Sequence, residues 1–359
     1  MTLADLGWNA DLAAAFAPHA AAGREPARVT LQLKGFWEVT TPGTARLAEC
    51  TGKFLNETTA IADMPAVGDW VAIEPLPGDD TRALIHAVLP RRTKFSRKAA
   101  GEQLVEQVVA ANVDTVFLVS SLDANFNLRR IERYLAAARA SGAQPVIVLN
   151  KSDLTREAAA RRTEVETIAR DTPIVVTSAL KRGGTKPLHA WLRPRTTVAF
   201  LGSSGVGKST LINELVGEEL LATQDVRSLD GKGRHTTTLR ELVVSPDGVL
   251  IIDTPGMREL QPWQADDALD DLFADLRDLT HRCKFTDCSH TTEPGCAVQA
   301  ALADGSLDPA RWQSYQRLQR EAAFEVRRSD RRASQKHKTD WKKVTKQLRQ
   351  RVREKRGDD

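Results

Sequence analysis

The chain has 359 residues, 27% of them charged and 41% hydrophobic, a composition typical of soluble globular proteins. No apolar run reaches the roughly 18–20 residues of a membrane span, and the length predicts two or three domains. The net charge of +4 is uneven, because residues 311–356 hold 17 Lys/Arg against 5 Asp/Glu and carry +12, leaving −8 elsewhere. This basic segment favours a polyanionic partner, although a solvated helix face also produces charge runs.

The first 22 residues are Ala-rich and contain two acidic residues, Asp5 and Asp11, but no early Lys or Arg. A signal peptide has a basic start followed by an apolar core. We therefore predict a short helical leader over residues 1–23 and a cytoplasmic protein that makes no use of a membrane. We also expect a monomer in solution.

Residues 28–89 show the pattern of short β-strands. Residues 29–33 alternate with period two, and Pro-Gly pairs at 42–43 and 77–78 mark turns. Several short strands in about 60 residues predict a small barrel.

Two aromatic residues of this region, Phe36 and Trp37, lie beside Lys34. They can form a stacking surface for nucleic acid or simply pack the barrel, and the sequence leaves both readings open. The basic residues 91–101 that follow are interpreted as a linker.

An α/β pattern comes next. Five apolar runs predict strands that are buried on both faces, and helices are predicted over residues 128–140 and 210–216. The five predicted strands are residues 115–119, 145–149, 173–176, 197–201 and 249–252. The last four are each followed directly by a candidate motif, where an open parallel sheet binds its ligand.

One of these motifs is a phosphate-binding loop of the form G-x4-G-K-S. Its glycines allow backbone N–H groups to surround phosphates, Lys208 reaches the β- and γ-phosphates, and Ser209 places a hydroxyl on Mg²⁺. A purely structural glycine turn is the alternative. The loop and the residue after it are Gly202, Ser203, Ser204, Gly205, Val206, Gly207, Lys208, Ser209 and Thr210.

A second motif, Asn150-Lys151-Ser152-Asp153, matches the guanine-reading tetrapeptide of GTPases. A carboxylate at Asp153 accepts from N1–H and the 2-amino group of guanine, donors that adenine lacks, so GTP is favoured over ATP. Ser178-Ala179, after the next strand, fits the last base-contact loop. Because the tetrapeptide precedes the phosphate loop, an order opposite to that of a Ras-like chain, the motifs predict a circularly permuted P-loop GTPase.

The sequence Asp253-Thr254-Pro255-Gly256 matches the loop that supports Mg²⁺ and senses the γ-phosphate. Between it and the phosphate loop lie three consecutive threonines, residues 236–238. A threonine here completes the Mg²⁺ shell when GTP is bound, and we favour Thr237.

The position that carries a water-orienting Gln in Ras-like enzymes is Met257 here. A thioether cannot orient water, so another group must substitute or hydrolysis is slow. His235, on the preceding Gly/Thr-rich loop, is the candidate catalytic group.

Three of the four cysteines cluster near the C-terminus as Cys283-x4-Cys288-x-His290-x5-Cys296. Three thiolates and one imidazole suit a closed, structural Zn²⁺ site. His281 is a competing ligand, and buried thiols beside a surface histidine are the alternative without metal.

The combination of these motifs over nearly the whole chain resembles the RsgA (YjeQ) family of ribosome-small-subunit-dependent GTPases. The resemblance implies an N-terminal OB-fold barrel, a central permuted GTPase with a largely parallel sheet, and a C-terminal helical zinc-binding domain. The implied boundaries are 24–92, 93–275 and 276–359.

The same resemblance implies late maturation of the small ribosomal subunit, binding to its rRNA, and GTP hydrolysis that the subunit stimulates and that is coupled to release. It also assigns Met257 to the apolar Gln position and His235 to hydrolysis. Two other functions stay open: an RNA-binding scaffold that holds GDP without turnover, and a general translation or signalling GTPase.

Overall fold

The computed structural model describes residues 1–98, 106–216, 240–253 and 273–320. Its contacts divide the chain into two units, residues 1–100 with 105–268, and residues 101–104 with 269–359. Among the described residues, no helix has the length and hydropathy of a membrane span. Most of the basic C-terminal segment, from residue 321 onward, lies outside the described residues.

The N-terminal part of the first unit is a closed five-stranded barrel. Its strands pair in the order β1-β2-β3-β5-β4, β4 returns to pair with β1, and β3 and β5 are parallel. This is the strand order of an OB-fold, so the predicted barrel is confirmed. The strands are β1 Glu25–Gln32, β2 Trp37–Thr41, β3 Thr44–Cys50, β4 Trp70–Leu76 and β5 Asp79–Val88, with helix α2 Gly52–Glu57 and a 3-10 turn Ile61–Asp63 between β3 and β4.

The Ala-rich leader contains the predicted helix, α1 Ala10–Ala21, after a 3-10 turn Ala4–Leu6. Asn9 caps the helix, its side chain accepting from Leu12 N at 3.0 Å. The Trp8 ring packs edge-on against the buried Trp70 of the barrel, with ring centroids 4.7 Å apart. The leader is therefore packed onto the barrel.

The two aromatic residues considered for stacking on nucleic acid differ in environment. Trp37 is 5% exposed and its Nε1 donates to Pro65 O at 2.8 Å, so it packs the barrel and cannot stack on a ligand. Phe36 is 37% exposed. Trp37 is the first residue of β2 and belongs to the barrel core, whereas Phe36 lies directly before the strand.

The predicted linker at residues 91–101 is wrong in its described part. Lys94–Lys98 forms β6, which pairs antiparallel with β7, Glu106–Ala111. Phe95 is buried, and the Arg91 guanidinium binds the buried Asp69 carboxylate at 2.7 Å. The basic residues indicated a solvated segment, but the Arg91 side chain is half-buried and paired with Asp69.

The rest of the first unit is an α/β layer. Strands β8, β9, β10, β11 and β13 are mutually parallel in the order β10-β9-β8-β11-β13, and each predicted strand is found. The strands are β8 Thr115–Ser121, β9 Gln144–Asn150, β10 Ile174–Val176, β11 Thr197–Leu201 and β13 Leu250–Asp253. The helices are α3 Leu128–Ser141, α4 Ala158–Ala169 and α5 Lys208–Val216, with 3-10 turns Ser152–Leu154 and Lys186–Trp191.

One further strand, β12 Arg240–Val244, was not predicted from the sequence. It pairs antiparallel with β13 on one side and with β1 of the barrel on the other, through the register Leu31↔Glu241. The Arg240 side chain also donates to Gln32 Oε1 at 2.9 Å. Barrel and parallel sheet are thus one hydrogen-bonded sheet of eleven described strands.

The described part of the second unit, residues 273–320, is helical, as predicted. It contains α6 Ala274–Thr280, α7 Ala297–Ala303 and a helix over residues 309–320. Its small core includes Phe273 and Tyr315, whose ring centroids are 5.2 Å apart, and the buried Trp312.

Candidate functional site

The nucleotide-site residues predicted from the sequence follow the carboxyl ends of three strands of the same parallel sheet. The phosphate loop follows β11, the base-reading tetrapeptide starts at the last residue of β9, and Ser178-Ala179 follows β10. These strands run parallel in one sheet, with only β8 between β9 and β11, so the loops that are separated in sequence lie at one edge of the sheet.

The phosphate loop joins β11 directly to α5. Gly205 and Gly207 have φ of 78° and 94°, the left-handed backbone region in which glycine is unstrained. The Lys208 ammonium donates to the backbone oxygens of Gly202 at 2.7 Å and Ser203 at 2.9 Å. The lysine therefore lies across the loop, where it can reach a bound phosphate. Ser209 and Thr210 follow, half-buried in the first turn of α5.

Asn150 connects the phosphate loop to the base-contact loops. Its buried side chain donates to Val206 O at 2.9 Å and accepts from Thr177 Oγ1 at 3.2 Å and Ala179 N at 3.3 Å. A Cβ added at Gly207 would overlap the Asn150 amide nitrogen. The amide of Asn150 thus fixes three loops relative to one another.

The carboxylate that the sequence predicts to read the base, that of Asp153, is also held in a defined orientation. Asp153 accepts a hydrogen bond from the hydroxyl of the buried Ser178, and Ser152 N donates to Thr177 O at 3.1 Å. These contacts bring the tetrapeptide and the Ser178-Ala179 loop together, as the sequence predicted. Asp153 itself is half-buried, so its carboxylate is accessible to a base.

Lys151 has a partner that sequence reasoning missed. Its ammonium binds Asp123 Oδ2 at 2.8 Å, and Asp123 also accepts from Ser121 Oγ at 2.7 Å and Asn125 N at 2.9 Å. Partial burial works to raise the pKa of Asp123, but the hydrogen bonds from Lys151, Ser121 and Asn125 outweigh it and lower the pKa. The available signal was an acidic residue just beyond the carboxyl end of β8.

The γ-phosphate side is only partly described. Asp253 is the last residue of β13 and pairs in register with Glu241 of β12. The predicted residues His235, Thr237, Gly256 and Met257 lie outside the described residues.

The second unit brings together the four predicted metal ligands. The ligand atoms of Cys283, Cys288, His290 and Cys296 all lie within 4.8 Å of one another. Cys283 Sγ is 3.9 Å from Cys296 Sγ and 3.4 Å from His290 Nδ1. Tetrahedral Zn²⁺ with thiolate and imidazole ligands requires edges of about 3.5–3.8 Å. The residues therefore fit a Cys3His zinc site, and the predicted ligand His290, not His281, belongs to it.

Backbone groups at the start of α7 favour the thiolate form of Cys283. Burial works to raise the pKa of Cys283, but backbone N–H groups of Ala297 and Val298, at the start of α7, help to lower the pKa. Gln299 Nε2 donates to His290 O at 2.6 Å, and the His290 ring contacts Trp312 edge-on. Residues 283–296, the candidate metal-binding loop, thus contact both α7 and the helix over residues 309–320.

Comparison with known proteins agrees with this geometry. The RsgA GTPase family model matches residues 88–263. A small ribosomal subunit biogenesis GTPase RsgA of Opitutus terrae is 52% identical over 352 residues, 96% of each chain. A protein of the same name from Methanosarcina acetivorans is 42% identical over 90% of this chain and 86% of its own.

Solved structures show the same fold. The crystal structure of YjeQ from Thermotoga maritima matches with a TM-score of 0.59 at 28% identity, covering 84% of this chain and 99% of its own. YloQ, described as a circularly permuted GTPase, matches in fold with a TM-score of 0.53 at 24% identity over 86% and 96% of the two chains. With the motifs in permuted order at one sheet edge, these similarities show that the chain belongs to the RsgA GTPase family.

Proposed function

We propose that this protein is a Mg²⁺-dependent GTPase that acts in late biogenesis of the small ribosomal subunit. The observation that carries the proposal is the Asn150 amide, which joins the phosphate loop to both base-contact loops in a pocket that suits a guanine nucleotide. The 52% identity with an RsgA protein over 96% of both chains supports the ribosomal role.

Within this proposal the described residues divide GTP recognition between them. Lys208 and the loop backbone of Gly202–Ser209 hold the β- and γ-phosphates, and the Asp153 carboxylate reads the guanine edge. The aliphatic stem of Lys151 covers the base plane while its ammonium is held by Asp123 at 2.8 Å. The backbone N–H of Ala179 faces the base oxygen.

Magnesium belongs beside the phosphate loop. The Ser209 hydroxyl and, in the GTP state, Thr237 would hold the ion, and Asp253 would support it. When bound, Mg²⁺ neutralises charge on the β- and γ-phosphates. The position of Ser209 in the first turn of α5, next to Lys208, fits this assignment.

For hydrolysis we assign His235 as the group that positions or deprotonates water, because Met257 cannot do so. Gly256 N–H senses the γ-phosphate. Such acid–base assistance contributes roughly 10²–10⁴-fold to a rate. Contact with the small subunit would bring His235 into place, stimulate hydrolysis and release the protein from rRNA.

The partner would be the small ribosomal subunit, bound in part by the basic segment 311–356. This role places the protein in the cytoplasm. The Cys3His cluster would hold one structural Zn²⁺, with no open position for chemistry. The domain boundaries predicted from the sequence belong to the same proposal.

Steady-state GTP hydrolysis by the full chain, with and without purified small subunits, tests the function. We expect strong stimulation by small subunits and little by large ones. His235→Ala should lose roughly 10²-fold or more of the stimulated rate. His189→Ala, at an exposed histidine, is the matched control and should behave as wild type.

A subunit-independent rate would contradict the proposal. Nucleotide binding without turnover would favour an RNA-binding scaffold. Equal stimulation by whole ribosomes or large subunits would favour a general translation GTPase.

A further inference from the structure

The connection between β8 and α3, residues 122–127, carries none of the recognised GTPase motifs, yet it contacts both halves of the nucleotide pocket. Asp123 binds Lys151 of the base-reading tetrapeptide at 2.8 Å. At the other end, Asn127 caps α3 by accepting from Arg130 N at 2.9 Å. The cap fixes the first turn of α3, from which the Arg130 side chain extends.

The Arg130 guanidinium reaches the phosphate loop. Its Nη1 donates to Ser203 Oγ at 3.1 Å and to Asn125 O at 3.3 Å. Ser203 is the second residue of the phosphate loop, and its backbone oxygen accepts from Lys208 Nζ at 2.9 Å. Two cations therefore hold this one residue, Lys208 through the backbone and Arg130 through the side chain.

We propose that Arg130 is a positioning residue for the phosphate loop that acts through Ser203. The inference rests on the proposed function, because it assumes that this loop binds guanine nucleotide. A planar guanidinium can bond to two acceptors in fixed directions, and Arg130 does so with Asn125 O and Ser203 Oγ. It thereby fixes the distance between the start of α3 and the loop that surrounds the phosphates.

The same contacts form a continuous hydrogen-bonded path across the pocket. Asn125 donates its N–H to Asp123 and accepts from Arg130 through its carbonyl. The path therefore runs from Lys151 through Asp123, Asn125 and Arg130 to Ser203. Together with Asn150, it gives the base side and the phosphate side two separate links.

The test measures GDP and GTP affinity of the full chain for Arg130→Ala, Arg130→Lys, Ser203→Ala and the double variant Arg130→Ala with Ser203→Ala. We expect Arg130→Ala to weaken both nucleotides about tenfold, the value of one charge-assisted hydrogen bond. The preference for GTP over ATP should not change. Arg130→Lys should recover part of the loss, and the double variant should bind no worse than Arg130→Ala.

Arg162→Ala is the matched control, because Arg162 is an exposed helix arginine paired with Glu166. It should bind both nucleotides as wild type does, and thermal unfolding without nucleotide should be alike for it and Arg130→Ala. Wild-type affinity in Arg130→Ala, or additive losses in the double variant, would overturn the proposal. If Arg130→Ala does not fold, Arg130→Lys and Ser203→Ala still decide, since both must weaken binding.

The outcome is separable from that of the proposed function. Absence of subunit-stimulated hydrolysis in the wild type would remove the ribosomal role but leave the affinity measurements valid. Undiminished nucleotide affinity in the Arg130 and Ser203 variants would remove only the positioning role.

Discussion

The predicted nucleotide pocket draws its described residues from positions 121–210, whereas all four candidate metal ligands come from the short segment 283–296. Behind the pocket lie apolar strands, with Phe117 and Phe200 both fully buried. In the metal-binding loop only Cys296 among the ligands is buried, and most residues between Cys283 and Cys296 are exposed.

The difference shows two ways in which the geometry of a small site can be stabilised. The pocket depends on a sheet whose buried area stabilises it without ligand, and hydrogen bonds such as those of Asn150 then set the loop positions. The metal-binding loop has little apolar surface of its own. The proposed Zn²⁺ would therefore supply most of the stabilisation of its geometry, since apparent binding energies of structural zinc are about 10–16 kcal/mol.

Removal of zinc should have the largest effect. Cys288→Ser or a strong chelator should abolish stoichiometric zinc and strip amide-exchange protection from residues 283–296, because no core replaces the metal–ligand bonds. GDP affinity should change less than about threefold. Zinc analysis and hydrogen exchange measured by peptide make the comparison, with Cys50→Ser as the matched control outside the cluster. Retained protection in the zinc-free protein would show that contacts other than the metal–ligand bonds hold residues 283–296 in place.

Substitution of Asp153, whose carboxylate is proposed to read the base, tests the predicted nucleotide pocket. Asp153→Asn removes the acceptor for the guanine donors and supplies a donor, so preference should move from GTP toward XTP, on the order of 10⁴-fold in the affinity ratio. Competition binding with both nucleotides measures it. Ser178→Ala, which removes only the hydrogen bond to Asp153, should weaken GTP without the change in preference. Unaltered GTP affinity in Asp153→Asn would show that the carboxylate does not contact the base.

Strands of the parallel sheet were predictable because burial on both faces gives continuous apolar runs, as in residues 115–119 and 197–201. The approach of Asn150 to the phosphate loop was predictable because both motifs follow such strands, whose carboxyl ends lie at one edge of the sheet. Strand β12 was not predictable, since only Leu242 of its residues is buried and one of its two pairing partners is the distant barrel strand β1.

The side-chain partners were also beyond sequence reasoning. Asp123 lies 28 positions before Lys151, and Arg130 lies 73 positions before Ser203. Neither spacing belongs to a sequence motif. The contacts form between segments that follow different strands and lie at the same edge of the parallel sheet. The burial of Trp37 depends on the direction in which β2 faces in the closed barrel. Two adjacent aromatic residues in a sequence do not show which of them enters the core.

Substitution of Asn150 tests how strongly side-chain hydrogen bonds, in addition to the sheet, determine the positions of the pocket loops. Asn150→Ala leaves Val206 O, Thr177 Oγ1 and Ala179 N without this partner, so we expect about 100-fold weaker GDP binding. Asn112→Ala is the matched control. Asn112 is also a buried asparagine, but it lies before the amino end of β8, away from the pocket, and its side chain donates to Gly68 O. It should lower thermal stability but keep GDP affinity. Equal affinity losses in both variants would mean that general destabilisation, not loop positioning, is measured.

The smallest expected effect concerns the ion pair between Lys151 and Asp123. Both side chains are partly exposed, 25% and 21%, so screening limits the pair to about 1 kcal/mol and Asp123→Asn to about fivefold weaker nucleotide binding. The contribution should be independent of pH near neutrality. Because the hydrogen bonds from Lys151 and Ser121 lower the pKa of Asp123 in the fold, its carboxylate stays ionised down to acidic pH.

The stabilisation from Asp123 is therefore fully present above the ordinary aspartate pKa of about 3.9 and is lost only as the pH falls through the lower folded value. The difference in GDP affinity between wild type and Asp123→Asn, measured from pH 8 to 5, should stay constant. If the difference in GDP affinity vanished between pH 7 and 5, Asp123 would titrate near neutrality. Burial would then affect its pKa more than the hydrogen bonds from Lys151 and Ser121 do.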